Sequence, residues 1–240
     1  RVDLSAAALH ILAMIFMLMD HLWATLLPSQ EWLTCVGRLA FPIFAFMAVE
    51  GYFHTRSFRR YALRMLAFAL LSEVPFDLMY SGTWFYPVHQ NVIWTLLLGL
   101  LGIHVMEKAR EKGRQWRYVL VCAGVTALGA VLGTAGMADY YGAGVLTVFA
   151  FYFFRGREWW KLLGQILALY WLNVRLLGGQ LYPISVFGAE FELCQQGLAL
   201  LALVPIWLYH GRQGYHSKAF QYACYAFYPA HMLVLALLVR

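Results

Sequence analysis

The sequence predicts an all-α fold, a polytopic transmembrane helical bundle of about nine spanning helices that forms a single domain over residues 1–240. Three observations predict it. Hydrophobic residues make up 62% of the chain and charged residues only 12%, far from the mix found in soluble domains. Apolar runs long enough to cross a bilayer recur from one end of the chain to the other. Lys and Arg cluster in every second connection between those runs. With 17% aromatic residues and no long polar stretch, the composition also excludes disorder and a nucleic-acid-binding surface. The net charge of +6 reports orientation before it reports partners.

A spanning helix needs about 20 apolar residues, with roughly 17 to 25 tolerated. The first run, Leu4 to Leu27, exceeds the apolar stretch of a secretory signal and reads as a span, not a cleaved leader. The second is Leu33 to Phe53 and the third Tyr61 to Tyr80. The fourth, Asn91 to Met106, is short; the fifth is Tyr118 to Met137. The sixth, Tyr140 to Phe154, is also short, is separated from the fifth by little more than Asp139, and has a start weakened by Gly142 and Gly144. The fourth and sixth are therefore spans or re-entrant segments. Trp159 to Leu177, Glu190 to Tyr209 and Phe220 to Val239 complete the series.

Basic residues follow the second run (Arg56, Arg59, Arg60, Arg64), the fourth (Lys108 to Arg117), the sixth (Arg155, Arg157, Lys161) and the eighth (Arg212, Lys218). The other connections, Pro28 to Trp32, Ser81 to Gln90, Asp139 and Gly178 to Ala189, contain neither Lys nor Arg. This alternation predicts a cytoplasmic N-terminus, an outer C-terminus and a sixth segment that crosses. Four cysteines stand singly in apolar stretches, without a CxxC or a Cys/His pair at ligand spacing, so no disulfide framework and no metal site is expected.

An ionisable side chain inside a span costs several kcal/mol unless paired or hydrated, so each one marks a candidate site. Asp20 and His21 lie in the first run, Arg38 and Glu50 in the second, Glu73 and Asp77 in the third, Arg175 in the seventh and His231 in the ninth. At about 1.5 Å per residue, Asp20 falls roughly 10 Å below the outer end of its helix and Arg38 about 7 Å below the start of its own. Those depths permit an ion pair, which is either a packing clamp or part of a site. Glu73 and Asp77, four apart, share a face beside Pro75. His89, Gln90 and Asn91 close a charge-free outer connection, and Glu190, Glu192, Gln195 and Gln196 are expected at the same level. Together they predict a polar cavity open to the outside. His21 fits a general base oriented by Asp20, Glu73 or Asp77. The same carboxylates would equally serve a small-solute or proton-coupled carrier, against which stands the absence of an internal repeat or paired broken helices.

Several blocks carry a family resemblance. Met14-Ile-Phe-Met-Leu-Met-Asp20-His21, Gly37-Arg38-Leu-Ala-Phe-Pro-Ile-Phe-Ala-Phe46, Val49-Glu-Gly-Tyr-Phe-His-Thr-Arg56, Ser72-Glu73-Val-Pro-Phe-Asp77, His89-Gln90-Asn91 and Phe227-Tyr228-Pro229-Ala230-His231 resemble the TraX family of bacterial integral membrane proteins. They cover most of the first hundred residues and the last helix. The stretch from about Glu107 to Gly211 carries little family signature. The resemblance implies an acetyltransferase of the cytoplasmic membrane that draws on acetyl-CoA, the founding member acetylating the N-terminal amine of F pilin.

Combined with the residues, the resemblance implies these roles. Acetyl-CoA approaches from the cytoplasm, its phosphates attracted to Arg56, Arg59, Arg60 and Arg64. His21 is the general base or transient acetyl carrier; Asp20, Asp77 or Glu73 supports it; Arg38 or Asn91 stabilises the oxyanion. His89, Gln90, Asn91, Tyr228 and His231 line the acceptor's side. The acceptor is a protein N-terminus or a glycan hydroxyl. The runner-up is the carrier, and a third reading is a non-enzymatic scaffold for surface structures.

Overall fold

The computed structural model describes residues 3–186, 188–215 and 217–239. The chain packs as two compact units, Arg1–Phe44 with Gly156–Arg240, and Ala45–Arg155. Helix α3 contributes residues to both.

In the first unit, α1 (Ala6–Thr25) starts where the Ser5 hydroxyl accepts a bond from the amide of Ala8, a polar cap on an otherwise apolar run. The second expected span is a helix in two pieces, α2 (Glu31–Gly37) and α3 (Ala40–His54). Pro42 explains the break: it has no amide hydrogen to give the carbonyl of Arg38, and its ring takes that carbonyl's space. The break leaves Arg38 as the C-terminal cap of α2, its own amide bonded to Thr34. Later in the chain, α8 (Trp159–Tyr170) runs directly into a π-helical stretch, Trp171–Leu177, which ends at Gly178 with φ 66°.

The eighth expected span is corrected. Residues 181–194 form an antiparallel hairpin, β1 (Leu181–Val186) paired with β2 (Ala189–Cys194) in the register Leu181 to Cys194 and Val186 to Ala189. The run from Glu190 alternates charged and apolar residues, a two-residue period that favours a strand over a helix. Glu190 and Glu192 therefore sit exposed on β2, not at a helix start. Helix resumes only at Gln195, as a 3-10 segment (Gln195–Ala202) leading into α9 (Leu203–Trp207). Helix α10 (Lys218–Val239) closes the unit and carries Pro229 in its interior.

The second unit holds the rest of α3 with α4 (Phe58–Ser81), α5 (Val92–Glu111), α6 (Gln115–Ala135) and α7 (Tyr141–Phe153). Helix α7 is apolar on every side and is buried on every side, Val145, Val148, Phe149 and Phe151 lying at its core. Small residues let α6 approach it: a Cβ on Gly133 would lie 2.8 Å from the carbonyl oxygen of Tyr141. The opposite face of α6 is apolar and exposed, Leu120 by 62% and Val131 by 61%, as a lipid-facing surface requires.

Among the described residues, five helical runs are long and apolar enough to cross a membrane: Ala6–Thr25, Glu31–His54, Val92–Glu111, Gln115–Ala135 and Lys218–Val239. The length and apolarity of these runs thus account for five of the expected nine crossings. Helix α4 has the length but carries Arg64, Glu73 and Asp77 along it. Tyr141–Phe153 and Gln195–Trp207 are apolar but short, about 20 Å each at 1.5 Å per residue. Helix α7 nevertheless joins the two ends of its unit: Thr95 Oγ1 bonds the Asp139 carbonyl before it, at 2.5 Å, and Tyr152 near its end bonds Glu107 at 2.7 Å.

Candidate active site

In the first unit the charged side chains of α1 and α2 meet. Arg38 Nη2 is bonded and ion-paired to Asp20 Oδ1, the pairing that their depths permit. Thr34, one turn before Arg38, bridges them: its hydroxyl donates to Asp20 Oδ1 at 2.7 Å and accepts from Arg38 Nη2 at 3.1 Å. A Cβ at Gly37 would lie 2.5 Å from Asp20 Cβ, so the glycine is what lets α2 come this near. Beyond the pair, Arg38 Nη1 reaches Gln196 Oε1 at 3.4 Å, Gln196 Nε2 donates to Asn173 Oδ1 at 3.0 Å, and Asn173 Nδ2 donates to the Leu169 carbonyl at 2.9 Å. Asn173 lies on the π-helical stretch and Gln196 in the first turn of the 3-10 segment, so the network gathers the unit's irregular helix, a setting common at functional sites.

His21 sits next to Asp20 but faces elsewhere, as the 100° step of a helix demands. Its Nδ1 is 2.7 Å from Nε2 of His231 on α10, and His231 Nδ1 is 2.7 Å from the Phe227 carbonyl. Among the described residues of this unit, no carboxylate is hydrogen-bonded to His21. Asp20, one of the expected orienters, is engaged by Arg38 and Thr34, and the partner at His21 Nδ1 is a second histidine. His231, expected on the acceptor's side, is thus a hydrogen-bond partner of the expected base. Tyr228 is buried beside it, ring centroids 6.0 Å apart.

Glu73, Asp77, His89, Gln90 and Asn91 lie in the second unit. Asn91 caps α5, its Oδ1 accepting from the Ile93 amide at 3.0 Å. Its Nδ2 donates to Glu73 Oε2 at 2.5 Å and to the Ala69 carbonyl at 2.9 Å, and its backbone amide also points at Glu73. Every N–H of Asn91 is therefore committed and the residue is fully buried, which removes it as an oxyanion donor. Asp77 accepts from the Tyr86 amide at 2.8 Å through Oδ2, while its buried Oδ1 has no partner among the described residues. His89 Nε2 lies 3.2 Å from Asp139 Oδ1, edge-on to Tyr80. Gln90 pairs in a short bridge with Ala138 and donates from Nε2 to the Pro87 carbonyl at 3.0 Å. The segment it meets is strained: Met137, Tyr140 and Tyr141 all have positive φ.

Arg56, Arg59, Arg60 and Arg64 are all exposed, Arg59 and Arg60 in the first turn of α4 behind its Ser57 cap. Arg64 lies over the Tyr61 ring at 5.9 Å. Positive charge at a helix N-terminus adds to the helix's own field and suits an anionic group. Glu50 is bound by Arg155 in a two-point pair of 2.7 and 3.2 Å, which resolves it as a structural lock. On β1, burial followed by hydrogen bonding to Glu31 pushes the Tyr182 phenol up to about 12. No three His, Cys, Asp or Glu side chains converge on a metal position among the described residues.

Sequence reasoning missed Thr34, Asn173 and Asp139 as members of these clusters. Thr34 alone carried a local signal, standing one turn from Arg38 on the same helix.

The chain is similar to the probable fimbrial assembly protein FimC, serogroup H1, of Dichelobacter nodosus, with 28% identity over 98% of this chain and 96% of that protein. No solved structure matches it significantly. A family model described as TraX protein matches residues 5–239, and the chain belongs to that family.

Proposed function

We propose that the protein is an acetyltransferase of the bacterial cytoplasmic membrane, N-terminus inside, that moves an acetyl group from cytoplasmic acetyl-CoA to an amine or hydroxyl on the outer side. The observation that carries this reading is His21, a histidine held through one ring nitrogen, next in the chain to a carboxylate that is paired with a guanidinium. In the transfer the acceptor's nitrogen or oxygen bonds to the thioester carbonyl carbon while His21 takes its proton. The oxyanion that forms is met by the positive charge of Arg38. The carbon–sulfur bond then breaks, and the departing sulfur receives the proton to leave as the free thiol. Arg56, Arg59, Arg60 and Arg64 hold the donor's phosphates. The description of the relative as a probable fimbrial assembly protein supports a pilin-like protein N-terminus as the acceptor.

The test is label transfer. Purified protein in lipid, given radiolabelled acetyl-CoA and a mixture of peptide and sugar acceptors, is expected to yield an acetylated acceptor. Solute uptake without consumption of acetyl-CoA would point to a carrier instead, and neither activity would leave a scaffold.

A further inference from the structure

We propose that His231 is a positioning residue: it holds His21 in one tautomer and leaves Nε2 of His21 as the nitrogen that takes the acceptor's proton. This deepens the acyl-transfer reading above and rests on it. The argument runs outward from a group that cannot donate. The Phe227 carbonyl is an acceptor, so the His231 nitrogen 2.7 Å from it, Nδ1, carries the hydrogen. A neutral imidazole has one N–H, so Nε2 of His231 presents a lone pair. The atom 2.7 Å from that lone pair, His21 Nδ1, must then be the donor. The hydrogen of His21 is thereby spent, and its Nε2 is left basic.

Ring geometry agrees. The two imidazoles are inclined by only 9° with centroids 4.9 Å apart, the separation of rings joined edge to edge through an N–H···N bond. His231 is itself fixed, 8% exposed and lying against Phe227 at 4.7 Å. Asp20, the residue before His21, is bonded to Arg38. When His21 Nε2 gains the acceptor's proton, its Nδ1–H bond to His231 becomes charge-assisted, and the positive charge is shared with a neutral partner. The proton afterwards passes to the departing sulfur, restoring the starting tautomer.

The experiment is nitrogen NMR of the full chain in bilayers with ¹⁵N-labelled histidine, His21 assigned by loss of its signals in His21→Asn. Expected are an unprotonated Nε2 and a protonated Nδ1 on His21, with coupling through the hydrogen bond to His231. In His231→Phe the His21 signals should shift toward a mixture of tautomers. In His231→Gln, whose side-chain oxygen accepts the same hydrogen, the single tautomer should persist. Turnover follows the same order: His231→Phe is expected to lose about a hundredfold in kcat with little change in KM for acetyl-CoA, and His231→Gln much less. A proton on Nε2 of His21 in the parent protein, or His21 signals indifferent to His231→Phe, overturns the proposal. A locked tautomer in a protein that releases no thiol overturns the acyl-transfer reading and leaves the tautomer assignment standing.

Discussion

Asp20 and Arg38 have side chains exposed by only 21% and 18%, so either one, left without its partner, keeps a poorly hydrated charge. Removing one member of such a pair costs about 3 kcal/mol, whereas removing both avoids the stranded charge. Asp20→Ala and Arg38→Ala should each lower stability by that order, and the double variant by less than the sum, as read from denaturant unfolding in detergent. Strict additivity would mean that the two do not interact. This pair was legible in the sequence because two opposite charges at matching depths have few other partners in a membrane. The partner of His21 was not. His21 and His231 are 210 positions apart, and Arg38 and Gln196 are 158 apart, so no local spacing announces either contact. Adjacency to Asp20 pointed instead to a carboxylate, and the turn of the helix directs the two side chains to different neighbours.

At the scale of elements, the junction between α2 and α3 sets the site. Pro42 interrupts the helix at Arg38, and Gly37 allows α2 to lie against Asp20. Gly37→Ala leaves every charge in place yet puts a methyl group into the Asp20 side chain. The expected outcome is a lowered melting temperature, with the coupling between Asp20 and Arg38 in the double-variant cycle much reduced. An unchanged coupling energy would show that the close approach is not needed. Most helices were legible from apolar length, since runs such as those of α1, α5, α6 and α10 admit no other membrane-stable conformation. The hairpin was not. Its first strand falls in the expected outer connection and its second in the expected eighth span, although Glu190 to Cys194 alternate with a strand's period and glycines with positive φ stand before the hairpin (178, 179) and at its tip (188).

For the whole molecule, the alternation of basic connections predicts an orientation that labelling can read directly. In a cysteine-free background, a cysteine placed at Arg59 should react only with reagent admitted to the cytoplasmic side, and one placed at Glu192 only with reagent outside. Labelling of both from one side would contradict the alternation, and with it the short α7 as a crossing segment. The sequence carried this pattern because charge placement in connections is a local property. It carried less about α7, whose 13 residues become a helix buried on all sides only through its packing with α5 and α6. The central claim, that His21 performs acyl transfer, is tested most directly by following free thiol released from acetyl-CoA in the presence of a peptide amine. The account predicts release by the parent protein and its loss, by about a hundredfold or more, in a His21→Ala variant that remains folded and inserted. Undiminished release by that variant would contradict it.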